Sequence, residues 1–317
     1  MTKMLGFICC LFLGTFVVDA DSIPQPPEEH SRFGIKIPTG ELAEFLRWRK
    51  NRVPLISHHR GGPAPGFPEN AIETMDNALK YGPGLMEIDV AQLADGELIL
   101  MHDDTLDRTT TGTGEVRGSS WNMIKNLHLK DENQEVTKFR IPKFDEVLGW
   151  TKGRAILTLD IKSGTDFGRV VAAVEKSGAQ DYVIAIAYTL AQAKAFHEIA
   201  PWMPITVTML NDADIAAVLA SGIPQGLVVA WTGLGVKSSE FYQKLHGKGW
   251  RVIMGTLGSG PRAIDNQIAA NDNDARYFEL FRQGVDVIAT DRFWAVQNQI
   301  RNPNLYFFTR EERSQAH

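Results

Sequence analysis

The stretch VPLISHHRGGPAPGFPENAIETMDNALKYGPGLMEIDVAQ, residues 53–92, contains two short apolar runs with a helical segment between them. The apolar runs have the length and the bounding turn residues of buried strands, whereas AIETMDNALKYG has helical spacing and ends in glycine. A strand, a crossover helix and a second strand form the unit from which parallel sheets are built. This stretch therefore predicts an α/β fold, and the same alternation continues along the chain.

Eight apolar runs are candidates for strands of one sheet, and helical segments such as FGRVVAAVEKSG separate most of them. This number favours a (β/α)8 TIM barrel, a fold that a chain of 317 residues can form as one domain. An open doubly wound sheet remains the alternative, because periodicity alone does not exclude it. The predicted strands are residues 53–59, 85–92, 154–161, 182–187, 205–209, 227–231, 251–254 and 285–289.

An insertion interrupts this rhythm after the second predicted strand. Asp95-Gly96 is a hairpin signal, so ELILMHDD is predicted to form a further strand that pairs locally. The insertion proper covers about residues 103–143. In a barrel, long loops that follow strand C-termini surround the active site, so we expect this insertion to border it.

The first twenty residues have the pattern of a secretory signal peptide. Lys3 precedes an apolar run, and small residues surround a cleavage site near Ala20. This pattern predicts a secreted or periplasmic protein without a stable membrane span, and favours an uncleaved anchor less. Because Cys9 and Cys10 both lie within the signal, the mature chain would have no thiol for a disulfide, a nucleophile or a zinc site.

The remaining chain is predicted to form one barrel domain behind a proline-rich leader. Thr39 is the expected N-cap of a short amphipathic helix, ELAEFLRWRKNR, which could cover the barrel floor. The predicted divisions are 1–20 for the signal, 21–38 for the leader and 39–317 for the barrel domain.

The charge of the chain argues against nucleic acid as a partner. The formal net charge is -5 and basic residues form no run, so counterion release would not drive binding. An anionic small-molecule substrate would instead have to meet local cations.

Acidic side chains at the ends of two predicted strands are candidates for a metal site. Glu87 and Asp89 in LMEIDV lie two residues apart and so face the same side of a strand. Asp160 and Lys162 in LTLDIK repeat this arrangement. Paired carboxylates are tolerated when a hard cation lies between them, or when both face water, and Asp160 with Lys162 could also be a structural ion pair.

Two histidines follow apolar runs where strand ends are predicted. His59 and His102 could act as base and acid on opposite sides of a reacting phosphorus, since imidazole titrates near neutral pH. Arg60 offers a planar guanidinium for phosphate oxygens. His58 should point to the opposite face of the strand and is left out of the site.

Three motifs in this order, HRGGPAPGFPENAIETMDNAL, MEIDVAQLADGELILMHDDTLDRTTTGTGEV and LDIK, resemble the glycerophosphodiester phosphodiesterase family. The resemblance runs from about residue 53 to about residue 162, and later units carry weaker signatures. It implies a metal-dependent barrel that hydrolyses glycerophosphodiesters to glycerol 3-phosphate and an alcohol.

The resemblance also implies roles for individual residues. Glu69 would orient His59 or Arg60 or approach the metal, and Asn70 could equally serve only as the N-cap of the first crossover helix. The matching residues are His59 and His102 as the acid/base pair, Glu87, Asp89 and Asp160 as ligands of one Mg²⁺ or Ca²⁺, Arg60 and Lys162 as phosphate-binding cations, and Glu69 and Asn70 in support.

The chain departs from the family pattern at two positions. Asp160 stands where the family usually has glutamate, which shortens the reach to a metal. In VIMGTLG, Gly255 stands where the family has tryptophan, so either Trp231 or Trp294 would have to supply the apolar wall of the glycerol site.

Two other functions remain open from the sequence. Lysophospholipase D or sphingomyelinase D type cleavage of a lipid headgroup would use the same site with an apolar entrance, and the loop at residues 103–140 would decide between them. A noncatalytic barrel that only binds ligands is disfavoured, because both histidines, the three acids and both cations are present.

Overall fold

A closed barrel of eight parallel strands forms the centre of a computed structural model of the chain, and each strand coincides with one of the predicted runs. The structure describes residues 23, 26, 33–50 and 52–301. The barrel strands are β1 (Leu55–His58), β2 (Gly84–Gln92), β6 (Ile156–Ile161), β7 (Val183–Ala187), β8 (Ile205–Thr208), β9 (Val228–Trp231), β10 (Val252–Gly255) and β11 (Val287–Thr290).

The pairing of β1 closes the barrel. Ser57 of β1 lies opposite Leu85 of β2 on one side and opposite Ala289 of β11 on the other, and both pairings are parallel. The alternative of an open doubly wound sheet is therefore wrong. Because all eight strands run in the same direction, their carboxyl ends form one rim, which we call the mouth of the barrel.

Crossover helices surround the strands and enclose the larger hydrophobic core. Several begin at side-chain N-caps, such as Asp166, which accepts from the amide of Gly168, and Thr189, which accepts from that of Gln192. The helices are α1 (Leu42–Leu46), α2 (Ile72–Ala78), α3 (Trp121–Ile124), α4 (Phe144–Thr151), α5 (Phe167–Ser177), α6 (Leu190–Ile199), α7 (Asp212–Leu219), α8 (Ser239–His246), α9 (Ile264–Ala270), α10 (Ala275–Gln283) and α11 (Phe293–Ile300).

The predicted insertion after β2 is a small unit with its own apolar core. Strand β3 (Leu98–Leu100) returns antiparallel to β2 through the expected Asp95-Gly96 turn, where Gly96 adopts a φ of 84°. Helix α3 and the hairpin of β4 (His128–Lys130) and β5 (Val136–Arg140) follow. Buried Leu106, Val116 and Ile124 help hold this unit together, so the long loop is a packed element and not an open one.

The floor of the barrel includes residues that the sequence assigned to the leader. Ile35 and Ile37 are buried with Leu42 and Leu46 of α1 beneath the strands, so the packed domain begins before residue 39. Helix α1 covers the floor as predicted, but it begins after Glu41, and Thr39 is not its N-cap. The helix also ends at Leu46, several residues before the amphipathic pattern does.

None of the helices within residues 33–50 and 52–301 combines the length and the apolar content needed to cross a membrane. The predicted signal peptide lies outside the described residues, and so does most of the leader.

Candidate active site

The nine residues singled out in the sequence gather at the mouth of the barrel. They are contributed by β2 and β6 themselves and by the turns that follow β1, β3 and β6. Hydrogen bonds among them join His102, both cations and the acids, whereas His59 bonds to Asp291, which the sequence had not singled out.

The three strand carboxylates form a compact acidic cluster. Asp89 and Asp160 lie opposite each other in the register of β2 and β6, and one oxygen each from Glu87, Asp89 and Asp160 lies within 4.8 Å of the others. At an effective dielectric constant of about 20, two like charges at this separation repel by about 3 kcal/mol. Burial and the negative charge of Asp89 together raise the pKa of Glu87 to about 8.

Only part of this negative charge is balanced by neighbouring side chains. The Lys162 ammonium lies 3.3 Å from an oxygen of Asp89 and 3.3 Å from an oxygen of Asp160. The backbone N–H of Arg60 donates to Glu87 at 2.7 Å. Three clustered carboxylates with one lysine are an oxygen donor set that suits a hard divalent cation such as Mg²⁺ or Ca²⁺.

Two residues in left-handed backbone conformations shape the loop after β1. Arg60 has a φ of 52° and Asn70 a φ of 58°, and the N–H of Asn70 donates to the carbonyl of Arg60 at 2.9 Å. The Asn70 amide donates to Asp89 at 2.7 Å and accepts from the Asp89 N–H at 3.0 Å. The prediction of Asn70 as an N-cap is wrong, since α2 begins at Ile72 after Ala71; Asn70 instead fixes a cluster carboxylate.

His59 is held by a carboxylate from the opposite end of the chain. It lies in a short 3-10 turn just after β1, and its Nδ1 is 2.6 Å from Asp291, which follows β11. Burial opposes the charged imidazole, but the hydrogen bond with Asp291 and the charges of Asp291 and Glu87 raise the pKa of His59 to about 9. Asp291 also accepts from the N–H of Gly258, so its own position is fixed.

His102 also has a carboxylate partner at Nδ1, and it has an arginine partner at Nε2. Its Nδ1 is 2.7 Å from Asp103, and its Nε2 is 2.8 Å from the Arg60 guanidinium. Since a guanidinium can only donate, Nε2 of His102 accepts, and the proton lies on Nδ1 toward Asp103. His102 is therefore neutral in this arrangement.

A network of two arginines and two acids fixes the position of Arg60. Glu69 accepts from Arg60 at 2.9 Å and from Arg108 at 2.8 and 2.9 Å, and it does not join the acidic cluster. Arg108 also donates to both oxygens of Asp103. The hydrogen bond from Arg108, only partly opposed by burial, holds the pKa of Asp103 far below its usual range.

His58 points away from the site, as the strand alternation predicted. It is fully buried beside Phe293, and neither ring nitrogen has a hydrogen-bond partner. Burial lowers the pKa of His58 to about 3, so the ring is neutral.

Three residues outside the predicted site position the histidines and Arg60: Asp103, Arg108 and Asp291. The first two lie in the motif MHDDTLDR, where residue type alone assigns them no role. The sequence does contain a pattern that marks Asp291. It is an acid directly after the short apolar run VIAT, just as Asp160 is an acid at the end of LTLD.

An aromatic ring fills the space above Gly255. A β-carbon added at Gly255 would lie 2.7 Å from the Trp231 ring and 2.6 Å from the Leu234 side chain. Trp231 ends β9 and packs against the apolar interior of the barrel. Trp294 is instead buried in α11 within the outer core, with its ring edge-on to Phe293, so Trp231 is the tryptophan at the mouth.

Comparison with known proteins gives consistent matches along most of the chain. A model of the glycerophosphoryl diester phosphodiesterase family matches residues 59–293. The crystal structure of a glycerophosphoryl diester phosphodiesterase from Parabacteroides distasonis has a TM-score of 0.76 and 31% sequence identity, and the match covers 84% of this chain and 93% of that one.

Further relatives match over shorter lengths or share the fold. A glycerophosphodiester phosphodiesterase from Caldanaerobacter subterraneus is 35% identical over 112 residues, which are 35% of this chain and 46% of that protein. The matches with three curated relatives span between 33% and 73% of their lengths. An Oleispira antarctica phosphodiesterase, solved with sn-glycerol-3-phosphate, has a TM-score of 0.60 at 20% identity over 78% of this chain and 97% of that one.

Proposed function

This chain belongs to the glycerophosphoryl diester phosphodiesterase family and is an enzyme of that family, and we propose that it hydrolyses glycerophosphodiesters to glycerol 3-phosphate and an alcohol. The observation that supports this reaction most directly is the pair of carboxylate-backed histidines beside one acidic cluster and two cations. These groups meet the needs of phosphodiester hydrolysis: a base, an acid and positive charge for the phosphate.

Glu87, Asp89 and Asp160 would hold one divalent cation, Mg²⁺ or Ca²⁺. When bound, the cation supplies positive charge that polarises a phosphoryl oxygen. The cluster itself supports this role, because the partly buried Glu87 lies among like charges whose repulsion a cation would relieve. Asn70 keeps Asp89 in place for binding.

Arg60 and Lys162 would bind the phosphate. Both side chains are partly buried next to the acidic cluster, and the positive charge of each is reinforced by neighbouring acids. A phosphate that enters the site can take the Arg60 donor that now contacts His102, and so leave Nε2 of His102 available.

We assign the base to His102 and the acid to His59. Neutral His102 would take the proton of the attacking hydroxyl, either from water or from the neighbouring hydroxyl of glycerol. His59, which Asp291 keeps protonated, would give its proton to the leaving oxygen as the phosphorus–oxygen bond breaks. If a cyclic phosphate forms first, the same residues exchange roles when water opens it.

The test is hydrolysis of a panel of glycerophosphodiesters with and without a chelator. We expect turnover that the chelator abolishes and that Mg²⁺ or Ca²⁺ restores. Absence of turnover on every diester would contradict the proposed reaction, and full turnover in excess chelator would contradict the cation.

Asp160 offers a matched pair of variants for the metal assignment. Asp160→Glu should retain or strengthen cation affinity in titration calorimetry, because the family residue reaches as far or farther, whereas Asp160→Ala should weaken it sharply. Equal affinity in the alanine variant would show that Asp160 serves only as a partner of Lys162.

A second candidate, lysophospholipase D type cleavage, is favoured by an apolar rim on one side of the mouth. Tyr188, Leu210 and Leu234 follow β7, β8 and β9 and expose 58%, 44% and 54% of their surface. Leu210 lies against Gly233, next to the pair of Leu234 and Trp231. The rim suits an acyl chain on glycerol, and higher kcat/KM for lysophosphatidylcholine than for glycerophosphocholine would favour this activity.

We also propose that residues 1–20 direct export and are removed. Mass measurement of protein from the native host should then find an N-terminus near Asp21, whereas an intact Met1 would contradict the processing.

A further inference from the structure

Asp291, the partner of His59, lies just beyond the end of the barrel sheet. Strand β11 is paired with β1 as far as Thr290 and with β10 as far as Ala289, and Asp291 is the next residue. Its backbone N–H donates instead to the carboxylate of Asp265, at 2.8 Å. Asp265 belongs to the first turn of α9, in the connection between β10 and β11. A side chain therefore fixes the backbone of Asp291 at the point where strand pairing ends.

The carboxylate of Asp265 is buried and all of its contacts are specific. Only 1% of the residue is exposed. One oxygen accepts from the Tyr277 hydroxyl at 2.7 Å, and the oxygen that holds Asp291 also accepts from the Thr290 hydroxyl at 2.9 Å. These donors are all neutral, and burial raises the pKa of Asp265 against the effect of its hydrogen bonds. Because neutral donors offset a buried charge only in part, packing alone does not explain an acid at this position.

The backbone of Asp265 is attached to the same two strands. Its N–H donates to the carbonyl of Thr256, the residue after β10, at 2.9 Å. The N–H of Thr256 donates in turn to the carbonyl of Ala289 in β11, at 2.8 Å. The side chain of Asp265 therefore starts from a fixed point, and its carboxylate can hold Asp291 in one place.

The residue after Asp265 supports the carboxylate end of Asp291. The Asn266 amide donates to the carbonyls of Gly258 and Gly260, at 3.2 and 2.8 Å. The N–H of Gly258 donates to the Asp291 carboxylate at 2.9 Å. Two consecutive residues of α9 thus reach Asp291, one at its backbone and one through the loop that contacts its carboxylate.

We propose that Asp265 is a positioning residue for the general acid, because its carboxylate holds the backbone of Asp291 so that the Asp291 carboxylate meets Nδ1 of His59. This inference rests on the proposed function, since it needs His59 to protonate the leaving oxygen. The distance from Nδ1 to Asp291 is 2.6 Å, and a displacement of about 1 Å would take it beyond the normal range of a hydrogen bond. The imidazole would then lose the partner that orients it.

The test compares Asp265→Ala with wild type on two diesters of glycerol phosphate, with choline or nitrophenol as the alcohol. For the choline diester we expect kcat to fall about tenfold with little change in KM, which is part of the roughly 100-fold loss that a 1 Å misplacement can cause. For the nitrophenol diester kcat should stay close to that of wild type, because nitrophenol leaves without a proton. A purely structural role of Asp265 would lower both values equally.

Three further variants complete the experiment. Asp265→Asn should restore most of kcat, because its amide oxygen can accept from Asp291 while its NH2 group donates to the Tyr277 hydroxyl. Asp286→Ala is the matched control, since Asp286 precedes β11 at the floor and accepts from the N–H of Val252 at 2.8 Å. It should lower the unfolding temperature without a difference between the two diesters. Asp265→Ser takes the place of Asp265→Ala if the alanine variant does not fold, with the same expected result.

Each outcome separates this inference from the proposed function. Unchanged kcat in Asp265→Ala, or equal losses on both diesters, would overturn the positioning role. Asp265→Asn as slow as the alanine variant would overturn the part played by the hydrogen bond. In the Asp291→Asn background, Asp265→Ala should cause no further loss of kcat, and additive losses would show that Asp265 acts by another route. Failure of wild type to hydrolyse either diester would instead remove the proposed function.

Discussion

His59 and His102 each have a carboxylate partner at Nδ1, Asp291 for the first and Asp103 for the second. They differ at Nε2, which in His102 contacts the Arg60 guanidinium. This difference is the basis on which we propose different roles for the two histidines. A histidine that accepts from arginine is unprotonated at Nε2, whereas the pKa of His59 is raised by its hydrogen bond with Asp291 and by the charges of Asp291 and Glu87, against the effect of burial.

Substitution of either histidine by alanine should lower kcat by about 100-fold to 10,000-fold, the usual scale of general acid-base catalysis. A diester with nitrophenol as its alcohol should partly restore His59→Ala, because this group leaves without a proton, and should not restore His102→Ala. Steady-state kinetics with both substrates measures the difference. Rescue of His102→Ala instead would reverse the two assignments.

Asp291 acts through His59, so its loss should change protonation more than binding. In Asp291→Asn we expect kcat to fall by about tenfold or more with little change in KM. Asp291 raises the pKa of His59, and a general acid must be protonated to act. In the variant, the alkaline limb of the plot of kcat against pH should therefore move to lower pH. An unmoved limb would leave Asp291 with only a structural role.

At the scale of elements, the carboxyl end of β10 depends on the packing of the Trp231 and Leu234 side chains against Gly255. An alanine β-carbon there would press on Trp231 and Leu234 at distances that real contacts do not show. Overpacking of this kind typically costs about 1–3 kcal/mol. We therefore expect Gly255→Ala to lower the free energy of unfolding by this amount and to raise KM.

Gly235→Ala is the control for that prediction, because a β-carbon at Gly235 meets nothing within 4 Å. Denaturant unfolding and steady-state kinetics of both variants test the packing. Equal stability of the two variants would mean that Trp231 moves aside at little cost.

The barrel strands could be predicted because each is a short apolar run between turn signals, and the strand alternation separated His58 from the site. The hairpin in the insertion could not, because β5 has no buried residue and so no apolar pattern. The alternative of Asn70 as only a helix cap stayed open in the sequence, because asparagine is common both at N-caps and in the left-handed backbone that here turns its amide toward Asp89. The choice between Trp231 and Trp294 depended on which face of α11 is buried.

For the whole molecule, His58 links folding to pH. Its pKa is about 3 in the fold and about 6.5 in an unfolded chain, so below pH 6.5 the unfolded state binds a proton that the folded state does not. The contribution of neutral His58 to the free energy of unfolding is therefore complete above pH 6.5 and is lost as the pH falls toward 3. Between pH 6.5 and 4.5 the loss is about 2–3 kcal/mol.

His58→Met should therefore remove this part of the acid sensitivity, since methionine fills a similar volume without a titrating group. The free energy of unfolding, measured by denaturant titration at several pH values, should decline less steeply in the variant between pH 6.5 and 4.5. Parallel curves for wild type and variant would show that the ring becomes protonated in the folded protein.

The closing contact of the barrel has a consequence for the timing of activity during synthesis. His59 and Asp291 are 232 residues apart in the chain, yet they touch because β1 and β11 are neighbours. At a usual rate of about 5–20 residues per second, a ribosome needs roughly 10–50 s to add that intervening length. Until then the nascent chain has His59 without the carboxylate that raises its pKa. The arrangement that we propose for the general acid is therefore complete only after the last strand has joined the first.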